Sequence, residues 1–100
     1  MAYRIRLTDE AEADLQAIYT GISERSSTAT ARGYVNRIVG YLASFDLFPE
    51  RGSLRNEIRP GLRVVGFERR VSIAFVVETD EVVVLRILYG GQELRLSDEA

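Results

Sequence analysis

Every basic side chain in this sequence is an arginine: the Lys+Arg total of 13 contains no lysine, and histidine and cysteine are absent. Disulfides, thiolate metal sites, cysteine nucleophiles and imidazole acid–base chemistry are thereby excluded. What remains must use guanidinium groups, carboxylates or phenols. The stretch VVVLRILYGGQEL, Val82 to Leu94, sets Arg86 inside an apolar run that ends on Tyr89 and two glycines. Cleaving RNA through its 2′-hydroxyl needs a base, an acid for the departing oxygen and positive groups around the phosphate. Arg86 and Arg63 would suit the phosphate, but a guanidinium stays charged and is a poor proton carrier. A phenol, ordinarily titrating at a pH of roughly 10, takes the acid or base role only in a strong field. Tyr89 therefore fits packing or partner contact better than catalysis, and no catalytic residue is assigned.

The carboxylates Asp9, Glu10, Glu12 and Asp14 are close together, yet their natural role is favourable charge near a helix start. None belongs to a metal-binding pattern, so no metal and no cofactor is expected. Gly90 and Gly91 lack the G-x-G-x-x-G spacing of a phosphate cradle and fit a sharp turn instead.

These residues have to be positioned by a small fold. A chain of 100 residues supports one domain with one core, here taken as 1–100. Its N-terminus has no basic region followed by a roughly 7–15-residue apolar segment, and no run approaches the roughly 18 residues that span a bilayer. A cytoplasmic protein without membrane contact is expected. The formal net charge of −2 argues against direct DNA binding, which draws on accumulated positive charge. The distribution is uneven. Arg51, Arg55, Arg59, Arg63, Arg69 and Arg70 face only Glu57 and Glu68 across the same segment, whereas Asp9, Glu10, Glu12, Asp14 and Glu24 make the first helical segment acidic. Such local polarity suits a protein partner with a complementary surface.

Tyr3, Ile5 and Leu7 alternate with Arg4 and Arg6, the period of a strand. Thr8 is a plausible cap, and Ala11, Leu15, Ile18 and Ile22 predict a helix over about 9–24. Ser26 or Ser27 caps a second helix carried by Ala31, Val35, Ile38, Leu42 and Phe45, ending before Phe48 and Pro49. The short connection predicts an antiparallel helix hairpin. PERGSLRNEIRPG reads as an ordered loop. Leu62–Phe67, Val71–Val77 and Val82–Tyr89 read as three strands, the last two joined through ETDE. The predicted class is α+β: an N-terminal strand, a helix hairpin and a three-strand C-terminal meander in a small, mainly antiparallel sheet.

On an alternating last strand Arg86 shares a side with Val82, Val84 and Leu88. A guanidinium there is costly unless paired or at a wet face, so it is an internal ion pair, an outward residue or a rim contact. Arg63, Arg69 and Arg70 divide evenly between a solvated face and a target or partner contact. Arg51, Arg55 and Arg59 would lie together if their loop held a helical turn. Tyr34 and Tyr41, seven apart, share a side of the second helix as rim packing or as a partner surface that would also serve self-association.

The run PGLRVVGFERRVSIAFVVETDEVVVLRILYGGQE, with Asp14, Leu15 and Ile18 in the first helix, Phe48, Pro49 and Gly52 after the second, Gly61 and Arg63 opening the sheet, and Leu88, Tyr89, Gly90 and Gly91 at its end, resembles the RelE/ParE superfamily of bacterial type II toxins. The ParE branch looks closer, and the likeness covers nearly the whole chain. It implies a toxin that inhibits DNA gyrase by binding, without catalysis of its own, and that is neutralised by a cognate ParD-like antitoxin, with a homodimer or a hetero-oligomer with the antitoxin as assemblies. On this resemblance Arg63, Arg69, Arg70, Arg86, Tyr89, Tyr34 and Tyr41 are candidate target or antitoxin contacts. The alternatives it implies are a ribosome-dependent mRNA endonuclease of the RelE type and a non-toxic, protein-binding relative. Where the family typically has a histidine in its last turn, this sequence has Tyr89.

Overall fold

The alternation at the N-terminus and the two capped apolar stripes produce the expected elements. A computed structural model describes residues 2–96; residues 1 and 97–100 lie outside the described residues. Strand β1 (Arg4–Leu7) leads into helix α1 (Asp9–Arg25), then α2 (Thr28–Ala43), a 3-10 turn (Ser44–Asp46), and strands β2 (Ser53–Leu54), β3 (Leu62–Phe67), β4 (Val71–Val77) and β5 (Glu81–Tyr89). Both predicted helix starts are capped by a hydroxyl: the Ala11 amide donates to Thr8 Oγ1 at 3.1 Å and the Thr30 amide to Ser27 Oγ at 3.0 Å. Each bond satisfies one of the free amides of a first turn.

The sheet has the order β1-β5-β4-β3-β2. The meander β3–β4–β5 is antiparallel as expected, and β1 lies parallel beside β5 with Arg4 opposite Glu81 and Leu7 opposite Val84. One strand is additional to the predicted set. Ser53 and Leu54, read as loop, pair with Val64 and Arg63 to form the outer edge. Two residues carry no periodicity, so only the partner strand defines them as β.

The helix hairpin covers one face. Ala11, Ile18, Ile22, Ala31, Ile38, Leu42 and Phe45 pack on Val71, Ile73, Phe75, Val82, Val84 and Ile87. On the opposite face Leu62, Ala74, Val76, Val83 and Leu85 form a second cluster, against which Leu94 and Leu96 of the tail pack. The tail is held by the Arg86 Nη1 bond to the Arg95 carbonyl at 2.8 Å and by the Tyr89 amide bond to Gln92 Oε1 at 2.8 Å.

Strict alternation does not survive along β5. Its register slips at a bulge, where Ala74 faces Arg86 but Phe75 faces Val84, leaving Leu85 as the extra residue. Val82, Val84 and Ile87 then share the helix-side core, while Val83 and Leu85 face the other way. The predicted grouping of Arg86 with Val82 and Val84 is corrected accordingly.

The β3–β4 turn is strained. Glu68 and Arg69 have φ of 49° and 66°, a left-handed pair in a position that favours Asn and Gly. Each such residue costs roughly 1–2 kcal/mol relative to its relaxed conformation. Arg69→Gly is expected to raise the unfolding free energy by about 1 kcal/mol, the relief of strain outweighing the greater freedom of glycine in the unfolded chain. A denaturant titration reads the change; a loss of stability would mean that the Arg69 side chain contributes more than its backbone costs.

Candidate functional site

Three elements converge at one end of the molecule: the last turn of α1, the N-terminal half of α2 and the sheet end at the β3–β4 turn and the close of β5. Between them lies an open cleft of about 640 Å³, lined chiefly by Ile22, Arg25, Tyr34, Arg37, Arg70 and Tyr89. Tyr34 and Tyr89 meet edge to face, with centroids 6.1 Å apart at 90°. The guanidinium carbon of Arg25 lies 5.8 Å from the Tyr89 ring centroid, and that of Arg37 lies 5.1 Å from the Tyr34 centroid. Ring faces attract and orient such cations. Of the predicted contacts, Tyr34, Arg70 and Tyr89 thus meet at one place, and Arg69 sits beside them in the turn.

Glu68 is the carboxylate of this region. It accepts from Arg37 Nε at 2.9 Å and from Arg37 Nη2 at 3.2 Å. The pair holds the Glu68 carboxyl below its usual range and the Arg37 guanidinium above its own, the hydrogen bond being the main cause in both. Both side chains are substantially exposed, at 39% and 55%, so their contribution is to orient the turn against α2 more than to stabilise the fold.

The Tyr34 hydroxyl is buried and has no hydrogen-bond partner among the described residues. Burial pushes its pKa upward; the neighbouring Tyr89 and Glu68 add to the shift, and Arg37 and Arg70 oppose it. A phenol harder to ionise in the folded than in the unfolded chain contributes stability below the unfolded pKa of roughly 10 and loses it as pH rises through the folded value. Tyr34→Phe is expected to flatten that alkaline decline. At neutral pH it is expected to change stability by less than about 1 kcal/mol, since the orphaned hydroxyl makes no bond to lose. Melting curves at neutral and alkaline pH test both parts, and a large loss at neutral pH would reveal an essential hydroxyl contact.

Tyr41 and Arg63 lie elsewhere. Tyr41 stacks on Phe67 with centroids 4.8 Å apart, and Arg51 sits over Phe45 and Tyr41 at 4.5 and 5.4 Å. Arg51 also donates to the Phe48 carbonyl at 2.6 Å and to the Ser44 carbonyl at 2.7 Å, so it staples the 3-10 turn to the following loop. Arg63 Nη1 reaches the Arg51 carbonyl at 3.4 Å. Arg55 instead pairs with Glu57, and a single helical turn carries the Arg59 amide onto the Arg55 carbonyl at 3.3 Å.

Arg86 is engaged within the fold. Its Nε and Nη2 donate to Asp14 Oδ2 and Oδ1 at 2.8 and 2.9 Å, and the Ile87 amide adds a 2.8 Å bond to Oδ2. The reason is topological. β1 ends at Leu7, opposite Val84, and leaves the rest of that β5 edge without a strand neighbour among the described residues. Thr8 Oγ1 donates to the Leu85 carbonyl at 2.9 Å and Asp14 accepts from Ile87, so α1 takes over the edge where β1 stops.

Arg25 and Arg37 were not among the predicted contacts. Arg37 follows Tyr34 by three residues and therefore shares its side of the helix, a signal present in the sequence. Arg25 had none, because its partner ring comes from the far end of the chain. Among the described residues no group of three or more His, Cys, Asp or Glu side chains could hold a metal, and no helix is long and apolar enough to cross a membrane.

A helix hairpin laid on one face of a five-stranded mixed sheet, with the first strand parallel to the last, defines an α+β protein of RelE/ParE-like topology. Residues 5–94 match the model of the ParE toxin of the type II toxin-antitoxin system parDE, and the chain belongs to that family. It is 29% identical over 91 residues to Toxin ParE3 of Caulobacter vibrioides, covering 91% of this chain and 90% of that protein. It also resembles a structure described as the chromosomal ParDE TA system from P. aeruginosa, with a TM-score of 0.77 and 29% identity over 89% of this chain and 97% of that one.

Proposed function

We propose that this ParE-family toxin arrests growth by binding DNA gyrase, and that a cognate ParD-like antitoxin neutralises it by covering its surface. The family match across residues 5–94 carries this reading. The chemistry of the chain supports it. With Arg86 held by Asp14, and with no lysine or histidine in the sequence, the end of β5 offers no proton-transfer pair. The arginine and aromatic groups around the cleft suit protein recognition, where Arg and Tyr are the common anchors. Regulated expression in a bacterium, with gyrase-linked DNA breaks and mRNA cleavage read together, tests the proposal. DNA breaks without early mRNA cleavage are expected; codon-linked mRNA cleavage abolished by Tyr89→Phe would assign the ribosome-dependent nuclease activity instead.

A further inference from the structure

We propose that the cleft between α1, α2 and the β3–β4 turn is a carboxylate-binding site that takes an acidic side chain presented by a protein partner. The inference rests on the toxin reading for the partner being a protein; the binding chemistry is read from the cleft itself.

Three guanidinium groups, Arg25, Arg37 and Arg70, line the same space. Glu68 engages Arg37, whereas Arg25 and Arg70 have no ion-pair partner among the described residues. Solvated arginines are common on protein surfaces, but two features set these apart. Arg25 and Arg37 lie over the Tyr89 and Tyr34 rings, which restrict where their planar donors point. A guanidinium fixed in this way loses less freedom when it grips a carboxylate through two parallel bonds. Tyr34, whose buried hydroxyl has no hydrogen-bond partner among the described residues, also lines the cleft.

The setting of Arg70 points the same way. The residues before it, Glu68 and Arg69, hold left-handed backbone without being glycine. The turn is clamped on one side by the Arg37–Glu68 pair and on the other by the Gly90 amide bond to the Arg70 carbonyl at 2.7 Å. Strain maintained in this way is characteristic of positions where a contact surface is being shaped.

The class of ligand follows from size and charge. A cleft of about 640 Å³ accommodates an acidic side chain and a neighbouring apolar one against Ile22 and Ala29. A nucleic-acid backbone is a poor match, because its affinity comes from many phosphate contacts, while this site is one pocket on a chain of net charge −2.

The test is a nuclear magnetic resonance titration of the antitoxin-free protein, following the arginine Nε signals. Three probes are used: a blocked pentapeptide Ala-Leu-Glu-Leu-Ala, its glutamine counterpart and inorganic phosphate. Saturable shifts of Arg25, Arg37 and Arg70 by the glutamate peptide are expected, with binding at least about tenfold weaker for the glutamine peptide and for the Arg25→Gln/Arg70→Gln variant. Arg95→Gln, remote from the cleft, should bind as the parent does. Absence of saturable shifts, equal response to both peptides, or tighter binding of phosphate than of the peptide would overturn the assignment. Gyrase supercoiling measured on the same preparations separates the two readings. Gyrase inhibition without peptide binding defeats only the carboxylate site, whereas peptide binding without gyrase inhibition upholds the site and defeats the gyrase proposal.

Discussion

Asp14→Ala is expected to lower the unfolding free energy by about 3 kcal/mol, no more than the lower end of what removal of one partner from a fully buried ion pair produces, because this pair is only part-buried. In a domain of this size that corresponds to a fall in Tm of roughly 15 °C. The carboxylate receives three bonds, from Arg86 Nε and Nη2 and from the Ile87 amide, and its removal leaves all three donors without it. The side chains of Arg86 and Asp14 are only 17% and 11% exposed, so water compensates poorly. Arg86→Met combined with Asp14→Ala should recover part of the loss, since it removes the stranded charge and leaves the Ile87 amide as the remaining defect. Circular dichroism melts give the comparison directly. If Asp14→Ala melted like the parent while losing gyrase inhibition, the pair would belong to the contact surface and not to the scaffold.

Gly52→Ala is expected to be as damaging, costing about 3 kcal/mol and loosening β2 from the sheet. Gly52 has φ of +71°, and a Cβ there would fall on the Val64 carbonyl oxygen and within 2.9 Å of Val65 Cβ. The obstruction is backbone of a paired strand, so relief requires β2 and β3 to separate. Gly61 is the internal control. It has φ of +80° but open space where a Cβ would go, so Gly61→Ala carries only the left-handed strain of roughly 1–2 kcal/mol. Melting both variants side by side, with amide exchange at Val64 and Val65, separates close approach from conformation. Equal melts and equal exchange would show that the β2–β3 contact contributes little.

The features visible in the sequence were those generated by local rules. Thr8 and Ser27 announced their helices because a free first-turn amide needs an acceptor, and Ile18, Ile22, Ile38 and Leu42 sit where the helical period buries them. Leu62–Phe67 and Val71–Val77 match their observed strands, and the last begins one residue before the predicted Val82. What depended on a distant partner was hidden. Alternation marks Ile5 and Leu7 as strand without saying that β5 is the neighbour or that the pairing is parallel. The bulge at Leu85 arises from the pairing of β4 with β5 and redirects side chains that a simple period of two assigns wrongly. Asp14 read as a charge favourable to the start of α1, and nothing local ties it to Arg86, 72 residues away. The cleft was partly legible: Tyr34, Arg70 and Tyr89 were singled out separately, but only the fold brings them to one space with Arg25 and Arg37.

The most direct test of the proposed function is a DNA gyrase supercoiling and cleavage assay with the purified chain, repeated after addition of the product of a neighbouring antitoxin gene. Dose-dependent loss of supercoiling with accumulation of cleaved DNA, restored to normal by an equimolar antitoxin complex, is the predicted result. Full supercoiling at a toxin concentration well above that of gyrase, by a preparation that is folded and free of antitoxin, would contradict it.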